Sequence, residues 1–241
     1  RVAATPRLRR GYSGRYLARE ETDRFRCMGM EILGSSLRAC ERPEEALPVL
    51  KASLALKRRH WWRDEAYILV AQTNLASCLD DVGRGQEALI LMREIYARRI
   101  ASYGLAHEHT IQTGSNLIVT MFRLGLYDEG KTLLRDQLVP AARRLLGYDH
   151  DTTLDLNKNL ANAIQEDPKR SRDNRRLNQR DARRRDLFNL DTGDDLLEAE
   201  TILLEVVKRR RRVFGPTHPD TLLSERDLSN ARVKLATRMH A

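Results

Sequence analysis

Three stretches fall into one register: Gly104-Leu105-Ala106-His107-Glu108-His109-Thr110, Gly147-Tyr148-Asp149-His150-Asp151-Thr152-Thr153 and Gly215-Pro216-Thr217-His218-Pro219-Asp220-Thr221. Each has Gly, then His three residues on, then Thr three further on. Twelve residues after each glycine stand Asn116-Leu117, Asn159-Leu160 and Asp227-Leu228. One period back from Asn116 lies Asn74-Leu75, and another step reaches Ile32-Leu33. A second anchor agrees. Glu45-Ala46-Leu47, Glu87-Ala88-Leu89 and Glu129-Gly130-Lys131 are spaced by 42 residues, and Glu198-Ala199-Glu200 follows after 69. Self-similarity at such a period marks a repeat array. The last interval is one period plus 27 residues, so an insertion lies between Leu160 and Glu198.

Each period reads as two helices. Between Glu87 and Tyr103, Ala88, Leu91, Ile95 and Ile100 form one apolar stripe at near-helical spacing. Gly104 suits a left-handed helix end. The next helix opens near His107, carries Ile111, Leu117, Met121 and Leu124 on one stripe, and closes at Gly125. Asp128 and Glu129 then place acids at the positive end of the following helix. Pro219 sits just inside a helix start, where a missing N–H costs nothing. No run alternates with period 2, so no strands are expected. The expected helices are 16–40, 44–60, 64–82, 86–103, 107–124, 128–146, 150–166, 196–214 and 218–238. A helical hairpin cannot bury its stripes alone, so the stacked array is the folding unit. The fold class is therefore all-α.

Composition agrees. The chain is 41% apolar and 32% charged, a balance suited to stacked amphipathic helices, and Gly plus Pro number only 20 of 241. No stretch of 18 apolar residues exists, so no membrane span is expected. Cys27, Cys40 and Cys78 form no spaced pair and read as core thiols in a reducing compartment. The net charge of +9 is local. Residues 1–20 carry a net +5 and residues 168–186 a net +6, which leaves −2 on the remaining 202 residues. The second basic segment falls in the insertion, so the break in period and the charge excess are one feature. The expected organisation is a basic arm (1–15), helical repeats (16–166), a charged insertion (167–195) and final helices (196–241).

The chain resembles tetratricopeptide repeats of the 42-residue kinesin-light-chain type. Their pattern is an LG-x-x-HPDT turn, an NNLA-containing helix, then an EEAE-x-L helix ending in basic residues. Arg209 to Thr221 is the best match, and Asn74-Leu75-Ala76 and Asn159-Leu160-Ala161 match the NNLA core. The pattern departs at Thr73, Ser115, Lys158 and Arg226 in place of the first Asn, and at Asp227 in place of the second. The turn His60-Trp61-Trp62-Arg63-Asp64 lacks the motif. The resemblance implies a right-handed superhelical solenoid interrupted by a basic insertion in one repeat.

It also implies a non-enzymatic scaffold or adaptor that binds a peptide segment of another protein in a concave groove. In the family the NNLA helix lines that groove, and its second Asn commonly contacts ligand backbone. That role falls on Asn74, Asn116 and Asn159. A carboxamide offers a donor and an acceptor, so it can clamp a peptide bond whatever the side chains. Asp81, Gln112, Arg123 and Asp155 share the same helix faces, as do Val70 and Glu166, giving a groove of mixed polarity. The competing reading is that each Asn bonds the neighbouring repeat.

The other signals are weaker. His107, His150 and His218 lie on different repeats with no Cys or acid pair at ligand spacing, so they read as turn residues bonding local backbone. No metal, cofactor or catalytic constellation is expected. The Lys208–Arg212 run reads as a solvated helix end. Of Trp61 and Trp62, one either marks a contact surface or plugs the degenerate turn. Lys169, Arg170, Arg172, Arg175, Arg176, Arg183, Arg184 and Arg185 could hold an anionic partner. Two alternatives follow: a basic RNA-associated or ribonucleoprotein subunit, or part of a longer protein with a functional domain upstream of Arg1. The expected location is cytoplasmic, or organellar on the Arg-rich, acid-poor start.

Overall fold

A computed structural model describes residues 19–165 and 192–239. The arm and most of the insertion, with all eight of its named basic residues, lie outside them. The described residues form nine helices and no strand. The chain divides into two compact units, one ending at Ser102 and one starting at Tyr103.

The first unit holds α1 (Arg24–Ala39), α2 (Pro43–His60), α3 (Glu65–Asp81) and α4 (Gly85–Tyr103). Helix α1 begins eight residues later than the stripe suggests. The reason is Asp23, whose Oδ1 accepts from the Phe25 N–H at 2.8 Å and caps the first turn. Pro43 opens α2. Arg42 and Arg84 reach forward with forked guanidinium contacts to Glu45 and Glu87 at the starts of α2 and α4. The core joins Leu50 and Leu54 of α2, Ile68, Leu75 and Leu79 of α3, and Ala88 of α4. Each fully buried Leu contributes about 1.5–3 kcal/mol. Small residues set the crossings. A Cβ on Gly34 would stand 2.6 Å from Leu50 Cδ2, so α1 and α2 pack closer there than any other residue permits.

The second unit holds α5 (Glu108–Arg123), α6, α7 (Asp151–Gln165), α8 (Thr192–Phe214) and α9 (Pro219–Met239). Helix α6 has three parts: Tyr127–Leu133, a π turn at Leu134–Leu138, and Val139–Leu146. Pro140 explains the π turn, which the apolar pattern does not show. It has no N–H to donate and its ring crowds the carbonyl four residues back, so the helix widens and the Val139 N–H bonds the Leu134 carbonyl. Helix α8 starts at Thr192 rather than 196, so the array resumes inside the segment expected to be insertion.

Cys27 and Cys78 are buried, whereas Cys40 is exposed, contrary to its reading as a core thiol. It is the residue that ends α1, in a turn where Glu41 takes φ 58°. The Lys208–Arg212 run is also not uniformly solvated. Arg210 is 0% exposed, and Arg209 is half-buried.

Candidate functional site

The first helix of each hairpin carries the expected site residues. In the first unit these helices are α1 and α3. Tyr67 Oη donates to the Arg24 carbonyl at 3.0 Å near their N-terminal ends, and Arg38 Nε donates to Asp81 Oδ2 at 2.7 Å near their C-terminal ends. Asn74 lies between these ties, half-buried, with Val70 exposed one turn earlier. The Asp81 carboxylate is thus engaged by Arg38.

In the second unit Asn116 on α5 and Asn159 on α7 are half-buried at the same register. Asn116 accepts a long 3.5 Å contact from Gln112 Nε2, and Gln112 and Arg123 are exposed. Asp155 is occupied. Its Oδ1 accepts from Arg210 Nη2 at 2.7 Å and lies 3.2 Å from Lys158 Nζ. Neither Asn74 nor Asn159 makes a side-chain hydrogen bond with another described residue. Two neighbouring asparagines behave differently. Asn157 donates to the Thr153 carbonyl at 2.7 Å and accepts from Arg143 at 2.8 Å, and Asn162 donates to Asp227 Oδ2 on α9 at 3.4 Å.

A ladder of buried cations supports these helices, and formal charge hid it at the level of sequence. Lys57, Arg99 and Arg210 stand at one register of α2, α4 and α8, at 0%, 5% and 0% exposure. Lys57 Nζ donates to Glu31 Oε1 on α1 at 2.6 Å and to the Tyr67 carbonyl on α3 at 3.1 Å, and lies over the Tyr67 ring. Arg99 reaches Thr73 Oγ1 at 3.4 Å. Arg210 repeats the Lys57 pattern. It bonds Asp151 and Asp155 on α7, and Ser224 Oγ and the Asp220 carbonyl on α9. Lys57 and Arg210 therefore each tie one hairpin's first helix to the next hairpin's first helix. The signal was a cation five residues before the turn, inside an apolar stripe, in three copies. Burial pushes the Glu31 carboxyl above its ordinary value although Lys57 opposes this. Burial likewise raises the Cys27 thiol and the Tyr67 phenol, and pushes Tyr96 up to about 12.

The three histidines do what a turn residue would. The Nδ1 atoms of His107, His150 and His218 accept from the N–H two residues on, at 3.2, 3.2 and 3.3 Å. His107 and His218 also stack on Tyr103 and Phe214, with ring centroids 4.7 and 5.0 Å apart. The preceding Gly104, Gly147 and Gly215 take φ of 81°, 87° and 90°, a region closed to other residues without strain. The two tryptophans differ in burial. Trp61 is half-buried, edge-on to Tyr67 at 5.7 Å, with Arg24 over its ring. Trp62 is 66% exposed.

Repeated hairpins, small-residue crossings and Gly–His turns define an α-helical repeat fold of the tetratricopeptide type. Residues 194–220, from the start of α8 through the turn into α9, match the tetratricopeptide-repeat family. No curated protein matches the sequence. The fold is of the kinesin-light-chain-like type. It is similar to the nearly identical TPR-like repeats of a kinesin light chain from Podosopora anserina, at TM-score 0.68 and 19% identity over 92% of this chain and 90% of that one. It is also similar to BtubC (BKLC) from P. vanneervenii, at TM-score 0.71 and 13% identity over 98% and 85%. A Rap protein complexed with Competence and Sporulation Factor matches at TM-score 0.54 and 17% identity, over 96% of this chain and 59% of that one.

Proposed function

We propose that the chain is a non-enzymatic interaction scaffold that holds a peptide segment of another protein along the first helices of its hairpins. In each unit the asparagines at this register, Asn74 in the first and Asn116 and Asn159 in the second, clamp peptide backbone. The observation that carries this reading is the contrast among asparagines. Asn157 and Asn162 are tied into the fold, while Asn74 and Asn159 hold half-buried carboxamides with donor and acceptor unspent. A carboxamide in that state suits a peptide bond arriving from outside. Asp81 and Asp155, committed to Arg38 and Arg210, position these helices more than they select ligands. The exposed Val70 and Gln112 give side-chain preference. The Rap neighbour, solved with a bound factor, supports this reading by analogy of fold. The unpaired thiols favour a reducing compartment, the cytoplasm first.

A peptide array probed with the full chain tests the proposal. Sequences bound by the native chain should lose binding to an N74A/N116A/N159A triple variant that keeps its helical signal. Equal binding by that variant would sink the clamp.

A further inference from the structure

The turn between α2 and α3 carries a surface that neither the fold nor the asparagine face uses. Trp62 occupies the register at which the other turns carry Gly104, Gly147 and Gly215. Its indole is 66% exposed, and the Arg63 guanidinium lies over the ring at 4.7 Å from the centroid. Trp61 is the indole that packs edge-on against Tyr67. The last turn of α2 brings the exposed Arg58 and Arg59 to the same end.

The charges around the turn are unevenly spent. Asp64 pairs with Arg24 at 2.9 Å, Glu65 with Arg98 at 3.0 Å, and Glu21 with Arg59 at 3.6 Å. Among the described residues Arg58 and Arg63 have no carboxylate partner. What is left is the Arg63 guanidinium over an open aromatic face, and Arg58, a second guanidinium without a carboxylate partner among the described residues, in the last turn of α2.

We propose that this turn is a binding site for single-stranded nucleic acid, in which a base stacks on Trp62 and the adjoining phosphates meet Arg58 and Arg63. The pairing of groups selects that chemistry. An acidic peptide would use the arginines and leave the indole idle. A single strand uses both, because every base has a π face and every step a phosphate. Arg63 stacked on one side of the indole polarises it and leaves the other face for the base.

The test is fluorescence anisotropy of a labelled oligouridylate with the full chain, arm and insertion in place, over a series of salt concentrations. W62A should weaken binding about tenfold, the size expected for loss of one stacked base, without changing the slope of log affinity on log salt. R58A should flatten that slope by about 0.7, the value for one phosphate contact on a single strand. W62F keeps a ring and should keep most of the affinity, which separates stacking from any misfolding of W62A. In a W61F background the remaining indole fluorescence should be quenched on binding. The proposal is overturned if no oligouridylate binds at low salt, or if W62A binds as the native chain does. It also falls if poly-glutamate binds as tightly with the same loss in W62A, which would assign the patch to acidic polypeptides.

Discussion

The same junction, second helix to next first helix, is built in two ways. At Gly104, Gly147 and Gly215 the chain enters the left-handed region, a His caps the next helix, and a Thr three residues on is fully buried at Thr110, Thr153 and Thr221. At His60–Asp64 none of these is present. The Trp61 N–H bonds the Lys57 carbonyl at 2.8 Å, the Asp64 N–H bonds the Trp61 carbonyl at 2.9 Å, and Asp64 Oδ1 caps Tyr67 N–H at 3.1 Å. Ile68 takes the place of the buried Thr. The first kind of turn solves the junction with backbone conformation, and the second with an aromatic side chain. Buried Lys57 lies five residues before Trp62 of the His60–Asp64 turn and buried Arg210 five before Gly215, whereas Ala142 holds that place before Gly147. Where the cation is present, we expect the junction to depend on it more than on the turn above it.

That ordering can be broken by experiment. K57A leaves Glu31 buried without its partner and should lower stability by about 3–5 kcal/mol, read from urea unfolding. The effect has a pH sign. Burial already holds Glu31 above its ordinary value, and removing Lys57 lifts it further. A neutral carboxyl needs no cation, so the gap between K57A and the native chain should shrink as pH falls through the Glu31 titration. A gap that grows on acidification would mean that Lys57 does not act through Glu31. R210A should show a smaller loss, because Asp151 and Asp155 keep about half their exposure and water can take over.

The aromatic plug comes next. W61A should cost about 2 kcal/mol, less than a fully buried Trp, since Trp61 is only half-covered. It should also loosen the start of α3, visible as faster amide exchange at Tyr67 and Ile68. If W61A is neutral, the turn rests on the Asp64 cap alone. G215A probes the other kind of turn. Its Cβ meets nothing within 4 Å, so any loss reports backbone strain at φ 90° and should reach about 1–2 kcal/mol. H218A should cost about 1 kcal/mol through the lost cap.

The contrast also explains how much could be read in advance. The Gly–His–Thr register and the recurring Ala at the helix crossings encode the hairpins through backbone geometry and side-chain size, and both are visible in letters. Ala46, Ala88 and Ala199 are each 0% exposed. What letters conceal is commitment. Asp155 looks in sequence like an open groove charge, yet it is held by a buried guanidinium from another helix. Arg210 is one of four consecutive arginines, and only the three-dimensional register shows that it points inward. Cys40 reads as a core thiol by residue type, yet it ends α1 and is exposed. Asn74, Asn116 and Asn159 stand out as candidates only through the resemblance. Their difference from Asn157 needed hydrogen bonds to see.

The smallest stability effect expected in the molecule is at Trp62, and that is its interest. An exposed side chain at a position with no strained backbone should change stability by no more than about 0.5 kcal/mol on replacement by alanine. W62G, which restores the residue type of the other turns, should not stabilise either, because this turn does not enter the left-handed region that glycine favours. Thermal unfolding of W61A, W62A and W62G side by side makes the comparison sharp. If W62A falls as far as W61A, both tryptophans belong to the plug and the open indole face has a structural purpose. If only W61A falls, the fold has no use for Trp62, and a large exposed aromatic with the Arg63 guanidinium over its ring is left for a ligand to explain.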